Sequence, residues 1–571
     1  MHKLGELSPW QYTLVALFVL LFGLLAVASS WNKNHTVDAI NYVGWGRYYI
    51  ATGDFYSLEL YNPPLTAYLL DLPNYFLALP PIEQWDKSTQ HALGYYYLYK
   101  TGYDTQFLTR LERIPIIIVS MLLVLLVWLW SYQLFGWEGS FISLIFSSVF
   151  PLFLGYGSIL LTDNVFAFTT TLSLYCYWQW LRQPCKKSAI LAGAATGLAL
   201  LAKLTAVFLL PIFVILWIWK SLSSGGKVGW HKRLLPGVEA LTQFIIILLA
   251  GLVTVWAGYG FDLQTIQGSI PQRYLGEGGR AEDYYKAFEA AMPFSPETSS
   301  WMWNKLPLPL TSYAITWFYS LNLNKNSSWA YLLGENIRGS WWYYFPIAFL
   351  FKTPLWLIIA LLLAIFFFRL RSLREDWFVP LLGTVVLFAL QMTSSINYGI
   401  RHLLHVYGFL LILVGVLGLY LTKKWLRIAV SILLLWAILS SLSAYPEYIS
   451  YFNALALGKG EHILLDSNLD FGQDLMLLGK WVDQNNISTI QLSYYGTADP
   501  DYFVPNHTYL ASVLGRGIPL QESCSVQPGY AAISLTNLYA VYFENKSCFA
   551  QLRDTEPLRR IGGSINVYNI R

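Results

Sequence analysis

The sequence predicts a polytopic α-helical membrane protein with a small α/β domain after its last helix. Three observations carry this reading. Hydrophobic residues make up 55% of the 571-residue chain and charged residues only 12%, about half the share found in soluble domains. The apolar residues fall in blocks long enough to cross roughly 30 Å of hydrocarbon, and the run from Ile114 to Trp130 holds no charge at all. Beyond residue 445 the blocks give way to short runs that read as strands around one amphipathic helix. The net charge of +4 gives no reason to invoke a nucleic-acid partner.

Candidate spans are 12–30, 114–135, 139–161, 163–181, 188–203, 204–219, 239–258, 343–368, 378–396, 402–421 and 428–445. The first exceeds the core of a cleaved signal peptide and ends in a poor cleavage site, so it is read as a helix. The stretch 188–219 is interrupted by Lys203 and is either two crossings or one long tilted helix. If it crosses twice, the basic residues gather on one side of the membrane. They are Arg182, Lys186 and Lys187; Lys220, Lys227, Lys232 and Arg233; Arg369, Arg371 and Arg374; and Lys423, Lys424 and Arg427. Positive charge marks the cytoplasmic side, which leaves 31–113, 259–342 and 446–571 outside. Residues 1–445 then form the membrane module, with 31–113 and 259–342 as its external loops, and 446–571 the extracytoplasmic α/β domain. In that domain 462–466, 489–494, 530–536 and 564–568 read as strands and 473–483 as the helix. Cys524 and Cys548 lie there, and oxidising surroundings would allow them either to pair or to remain thiols.

Candidate functional residues sit at the membrane boundaries. Asp38 follows the first span by a few residues, where a soluble acceptor and a lipid-borne donor can meet. Asp163 heads the fourth span, where it would also serve as a helix N-cap. Lys203, Lys352 and Arg401 interrupt or border apolar sequence, and an ionisable group in such a place is a functional hypothesis by default. Snorkelling to the interface is the plain alternative for the two lysines, and a structural ion pair for Arg401. His402 and His405 are too isolated for a metal pair. Asp466-x-Asn468-x-Asp470 lacks the glycine and terminal glutamate of a calcium loop. Trp301, Trp303, Trp341 and Trp342 could stack on sugar or anchor at the interface.

The order of these elements resembles a known pattern. Asp38 is followed by Gly44-Trp-Gly46-Arg-Tyr-Tyr49, Thr52-Gly-Asp-Phe55 and Tyr61-Asn62-Pro-Pro-Leu65. Arg113-Ile-Pro115, Leu161-Thr-Asp163-Asn164 and Gly197 to Lys203 come next. After them stand Gly339 to Pro346, Lys352-Thr-Pro354 and Tyr398-Gly-Ile-Arg401-His-Leu-Leu-His405. The first loop resembles that of the protein O-mannosyltransferase and aminoarabinose-transferase superfamily, and the later motifs keep its order across nearly the whole chain. Tyr451-Phe-Asn453 and Asp466-Ser-Asn-Leu-Asp470-Phe-Gly-Gln-Asp474-Leu475 resemble a signature of its uncharacterised bacterial members. The chain departs from the pattern at Asn62, where many relatives have His, and at Ala39, where many have a second acid. His405 and Phe471 stand where Pro and Trp are more usual.

The resemblance implies a GT-C fold glycosyltransferase of the cell envelope, set in the plasma membrane of a bacterium, that takes its sugar from a polyprenyl-phosphate carrier. The acceptor would be a protein, lipid or glycan hydroxyl, and no cofactor is expected. Asp38 would take the acceptor's proton as the anomeric bond breaks with inversion, with Asp163 shaping the site. Lys203, Lys352 and Arg401 would face the leaving phosphate, and Tyr61, Asn62 and His402 would contact substrate. A transporter or flippase of a lipid-linked glycan is the rival expectation. It would place polar groups near the bilayer midplane in two related halves, whereas these residues gather toward one face.

Overall fold

A computed structural model describes residues 5, 7–55, 62–223, 238–270, 282, 285–286, 288–289, 295–325, 329–369, 376–512 and 524–571. Tyr61, Lys227, Lys232, Arg233, Arg371 and Arg374 lie outside them. Among the described residues six helices are long and apolar enough to cross a membrane, or seven if one bent pair is a single span. The chain is thus a multi-pass helical membrane protein. It divides into two compact units. One comprises Met1–Ile40, Gln106–Asn164 and Ser327–Arg571, the other Asn41–Thr105 and Val165–Asn326.

The first unit opens with the helix Pro9–Ser30. The helical stretch Thr105–Ser148 runs for 44 residues, but Gly136 within it has φ 77° and ψ −168°. Two helices therefore meet at a residue that glycine alone adopts without strain, at the turn expected between two spans. The second of those spans, expected over 139–161, is not continuous. Its helix stops at Ser148 and Pro151 opens a new short helix, Pro151–Tyr156, as a ring that lacks an N–H favours. The run 343–368 is also broken, into Tyr344–Lys352 and Leu355–Phe368, bent by 108°. Thr353 is extended there because the ring of Pro354 disfavours helical backbone in the residue before it. Phe378–Met392, at 15 residues, is shorter than the run expected over 378–396. Ile400–Tyr420 and Lys424–Ala444 follow where apolar sequence placed them.

The carboxy-terminal segment belongs to this same unit and is built on a five-stranded sheet. Its order is His507–Tyr509, Ile490–Ser493, Gly529–Ser534, Ile565–Ile570, Arg559–Ile561. The first three strands run parallel, and the last two pair antiparallel. One face packs Ile490, Leu492, Ala532 and Val567 against Leu475, Leu478 and Val482 of the helix Leu475–Gln484. The other buries Ile533 and Tyr568 among Leu465, Leu469, Leu535 and Phe549. Cys524 and Cys548 are disulfide-bonded beside this second cluster. The strand expected at 462–466 does not form: 3-10 turns occupy Gly460–His462 and Asp466–Asn468. Asp466, at φ 55°, has left the extended region that a strand needs.

In the second unit the helix Lys186–Ala202 ends at Lys203, whose backbone is extended. A 3-10 turn, Leu204–Phe208, leads into Leu209–Ser223, so the apolar stretch breaks at its lysine. Lys186–Ala202 packs along Val238–Gly258. A Cβ at Gly193 would overlap the Ile247 carbonyl, and one at Gly197 would collide with Thr254 and the Gly251 carbonyl. The glycine-rich run thus serves close helix approach, the usual work of small residues spaced four apart.

Candidate active site

Asp38 is placed by what happens at the end of the first helix. The last carbonyls of any helix lack intrahelical partners and carry partial negative charge. Here Arg113 meets them. Its Nη1 donates to the carbonyls of Ser30 at 2.6 Å and Lys33 at 3.0 Å, and its Nη2 to that of Asn34 at 2.9 Å. The chain beyond is tied to the carboxy-terminal segment. Asn34 and Val37 donate backbone N–H to the carbonyls of Gln473 and Phe471 at 3.2 and 3.0 Å, and Thr497 Oγ1 donates to the Val37 carbonyl at 2.9 Å. Lys33 pairs with Asp474 at 2.6 Å and with Glu447. Burial works against the Lys33 ammonium, but Asp474 and Glu447 outweigh it and hold its pKa above the ordinary value. Burial and the Asp474 charge push Glu447 up to about 7.

Arg401 then joins the two predicted acids. Its Nη1 donates to Asp163 Oδ2 and its Nη2 to Asp38 Oδ2, both at 2.9 Å. Arg401 and Asp163 are buried, with side chains 9% and 4% exposed, whereas Asp38 is 33% exposed. The fork of the guanidinium suits one cation holding two carboxylates. Its Nε donates to Ser467 Oγ at 3.2 Å, and its flat face lies 5.0 Å from the centre of the Phe471 ring, within cation–π range. Asp163 stands inside the first turn of the helix Thr162–Arg182, one residue past the start and not at the N-cap expected, and its carboxylate serves Arg401. His402 Nδ1 lies 3.8 Å from Asp163 Oδ1. Among the described residues no hydrogen bond reaches Asp38 Oδ1, which leaves this oxygen open to a ligand.

The other expected residues are placed differently. Lys352 neither snorkels nor faces an anion. It is fully buried, its Nζ donating to the carbonyls of Ile449 at 2.8 Å and Asn468 at 2.5 Å. That geometry braces the backbone at Ile449 and Asn468. Lys203 belongs to the second unit, half-buried at the helix break with Nζ 5.9 Å from the centre of the Phe166 ring. Asn62, in the same unit, donates from Nδ2 to the Tyr42 hydroxyl at 2.7 Å. Trp303 is buried against Tyr285 and Phe288 and so packs the unit's own interior, while Trp342 is exposed.

Sequence reasoning missed the residues behind Arg401. Ser467, Asn468, Asp470 and Asp474 are fully buried, although none of them was among the expected site residues. The three acids of the run 466–474 serve separate partners. Asp466 accepts from the Tyr542 hydroxyl and the Ser467 amide. Asp470 accepts from the Thr536 and Gly472 amides, and Asp474 from Lys33 and Ser564. Burial pushes Asp470 up to about 8 against those amide bonds. Burial also lifts Asp466 to about 6, with the Asp38 charge adding to it and Tyr542 and Arg401 opposing. The available signal was density: six polar side chains within the nine residues 466–474, beside Leu465, Leu469 and Phe471.

Residues 15–260 match the family described as dolichyl-phosphate-mannose-protein mannosyltransferase. Over that segment the chain is similar to a family of glycosyltransferases, the class that its motifs resemble. No curated protein matches the sequence. Among solved structures, the protein O-mannosyltransferase Pmt1-Pmt2 complex of S. cerevisiae, bound to its sugar donor, aligns at 16% identity and a TM-score of 0.35. That alignment covers 45% of this chain and 34% of the yeast chain. The oligosaccharyltransferase of Archaeoglobus fulgidus aligns at 14% identity and TM-score 0.38, over 82% of this chain and 55% of its own. ArnT from Cupriavidus metallidurans aligns at 12% identity and TM-score 0.30, over 97% of both chains. The chain thus spans about a third and just over half of the first two, and at these scores the alignments carry no argument about the site.

Proposed function

We propose that this protein transfers a sugar from a polyprenyl-phosphate carrier to an acceptor hydroxyl outside the cytoplasm, with inversion and with Asp38 as the general base. The observation that carries the proposal is the Arg401 bridge, which gathers Asp38 and Asp163 from distant parts of the sequence at one place. Arg401 holds one oxygen of Asp38 and leaves the other for the acceptor. As the acceptor oxygen bonds to the anomeric carbon, its proton passes to Asp38, and the carrier phosphate departs with the electron pair of the broken bond. Asp163 keeps Arg401 in place. No cofactor enters the proposal, since the guanidinium supplies fixed positive charge beside the acids. The acids meet at the end of a membrane helix and not at its middle, which favours transfer over transport. The test supplies purified protein with a panel of polyprenyl-phosphate sugars and follows release of polyprenyl phosphate. Release from none of them, across protein, lipid and glycan acceptors, would overturn the proposal.

Features of the first unit support this sidedness. Arg401 stands at one end of Ile400–Tyr420, and Lys423 and Lys424 follow the other end. A helix of that length spans about 30 Å. Lys423 and Lys424 mark the cytoplasmic side by their charge, and the disulfide of the carboxy-terminal segment supports an oxidising compartment for it. An impermeant thiol reagent is expected to reach a cysteine at position 500 from outside and one at 423 only from the cytoplasm, in a background without Cys176 and Cys185. Labelling of both from one side would overturn this topology.

Lys203 is the proposed ligand of the donor phosphate, on the strength of an ammonium at a helix break where the sequence turns apolar. Lys203→Met keeps the stem and removes the charge. It is expected to raise the KM for donor and, if the ammonium also meets the leaving phosphate, to lower kcat. Unchanged values of both would assign Lys203 to snorkelling alone.

A further inference from the structure

Arg401 is held by the far end of the sequence. Two outer nitrogens hold the two acids, and the Nε bond to Ser467 Oγ fixes the guanidinium at a third point. Ser467 cannot easily turn away. Its hydroxyl donates to the Tyr398 carbonyl at 2.8 Å, and its own carbonyl accepts from the Tyr156 hydroxyl at 2.6 Å. Asn468 fixes the backbone one residue before Arg401, its Oδ1 accepting from the Ile400 amide at 2.9 Å. The Asn468 Nδ2 in turn donates to the Tyr344 hydroxyl and the Leu465 carbonyl, each at 2.9 Å.

The turn bearing these two residues is anchored on both sides. Leu465 and Leu469 are buried in the core of the carboxy-terminal segment, and the Lys352 ammonium grips the Asn468 carbonyl. Asp466 takes the left-handed backbone at φ 55° that turns the chain, and such a conformation persists where its surroundings over-determine it. Gly399 leaves the room: a Cβ there would overlap Ser467 Oγ.

We propose that Ser467 and Asn468 are positioning residues for the transfer reaction, setting the orientation of the Arg401 guanidinium and through it the aim of Asp38. The inference rests on the roles given above to Asp38 and Arg401. It makes the carboxy-terminal segment a part of the active site and not an appended module. A brace of the fold would share the burial and the hydrogen bonds of Asn468, but the direct bond from Ser467 to the Arg401 side chain points to the site.

The test uses the full-length protein in lipid nanodiscs, with a C55 polyprenyl-phosphate mannose as the probe donor. Ser467→Ala is expected to lower kcat about 10- to 100-fold, the range a lost hydrogen bond to a charged group supports, with little change in donor KM. Gly399→Ala should reproduce that loss by driving the hydroxyl off Arg401. In an Arg401→Lys background, Ser467→Ala should change kcat by less than about threefold, because residues acting through one contact are non-additive. Asn468→Ala should speed amide hydrogen exchange over 396–404 and leave 490–512 protected. Wild-type kcat in Ser467→Ala, or an equal loss in both backgrounds, overturns the proposal. If the wild type releases no polyprenyl phosphate from any donor, the glycosyl-transfer reading fails by itself. Exchange over 396–404 then decides the contact, and unchanged protection in Asn468→Ala overturns it.

Discussion

Asp38→Asn is expected to remove about 10²–10⁴ of the transfer rate, the range over which a positioned general base contributes, while the protein stays folded. The amide keeps the shape and still offers an oxygen to Arg401 Nη2, which donates to Asp38 Oδ2 at 2.9 Å. It cannot accept the acceptor's proton. Arg401 also keeps its second carboxylate, Asp163, so its charge is not left bare. The measurement pairs turnover under single-turnover conditions with donor binding and a melting temperature. A fall in rate with unchanged donor affinity and a nearly unchanged melting temperature is the expected result. Rapid transfer by a well-folded Asp38→Asn protein would sink the base assignment and move it to another acid. Asp163 is the poorer base on geometry, being 4% exposed and already shared between Arg401 and His402.

Much of the architecture was legible because lipid imposes few solutions. Blocks of apolar sequence become helices, and the breaks fall at Gly136, Pro151, Pro354 and Lys203. The expected continuous helices over 139–161 and 343–368 failed at prolines that a hydropathy average does not weigh. Asp38, Asp163 and Arg401 could be singled out because charges at membrane boundaries are costly. Their meeting could not be read. It depends on contacts between residues 38, 163, 401 and 467, separated by up to several hundred positions. The surroundings of Lys352 could not be read for a related reason. A buried lysine beside a helix end reads as an anion ligand until the carbonyls of Ile449 and Asn468 are seen around it. The turn at 466–470 was the hardest, because a run of Asp, Ser and Asn is ordinarily solvated loop. Here Lys33, Arg401 and Lys352 draw it inward.

Arg401→Met should be the most destabilising single change in the site. Methionine retains a flexible apolar stem but removes the guanidinium that bridges Asp38 and Asp163. Breaking a buried ion pair by removing one partner typically costs about 3–5 kcal/mol, because the remaining charge stays buried and uncompensated. Here two carboxylates would lose the cation they share, and of the two only Asp38, 33% exposed, reaches solvent appreciably. Replacing one of those acids should return part of the stability. Arg401→Met combined with Asp163→Asn is therefore expected to melt well above Arg401→Met alone and yet remain without transfer activity. Denaturation in detergent, followed by the labelling of the half-buried Cys176, reads the stability, and release of polyprenyl phosphate reads the activity. If Arg401→Met melts with the wild type, the two bonds at 2.9 Å contribute little to folding. If the double variant regains turnover as well, the positive charge at residue 401 has no part in the chemistry, and Lys203 would carry the phosphate by itself.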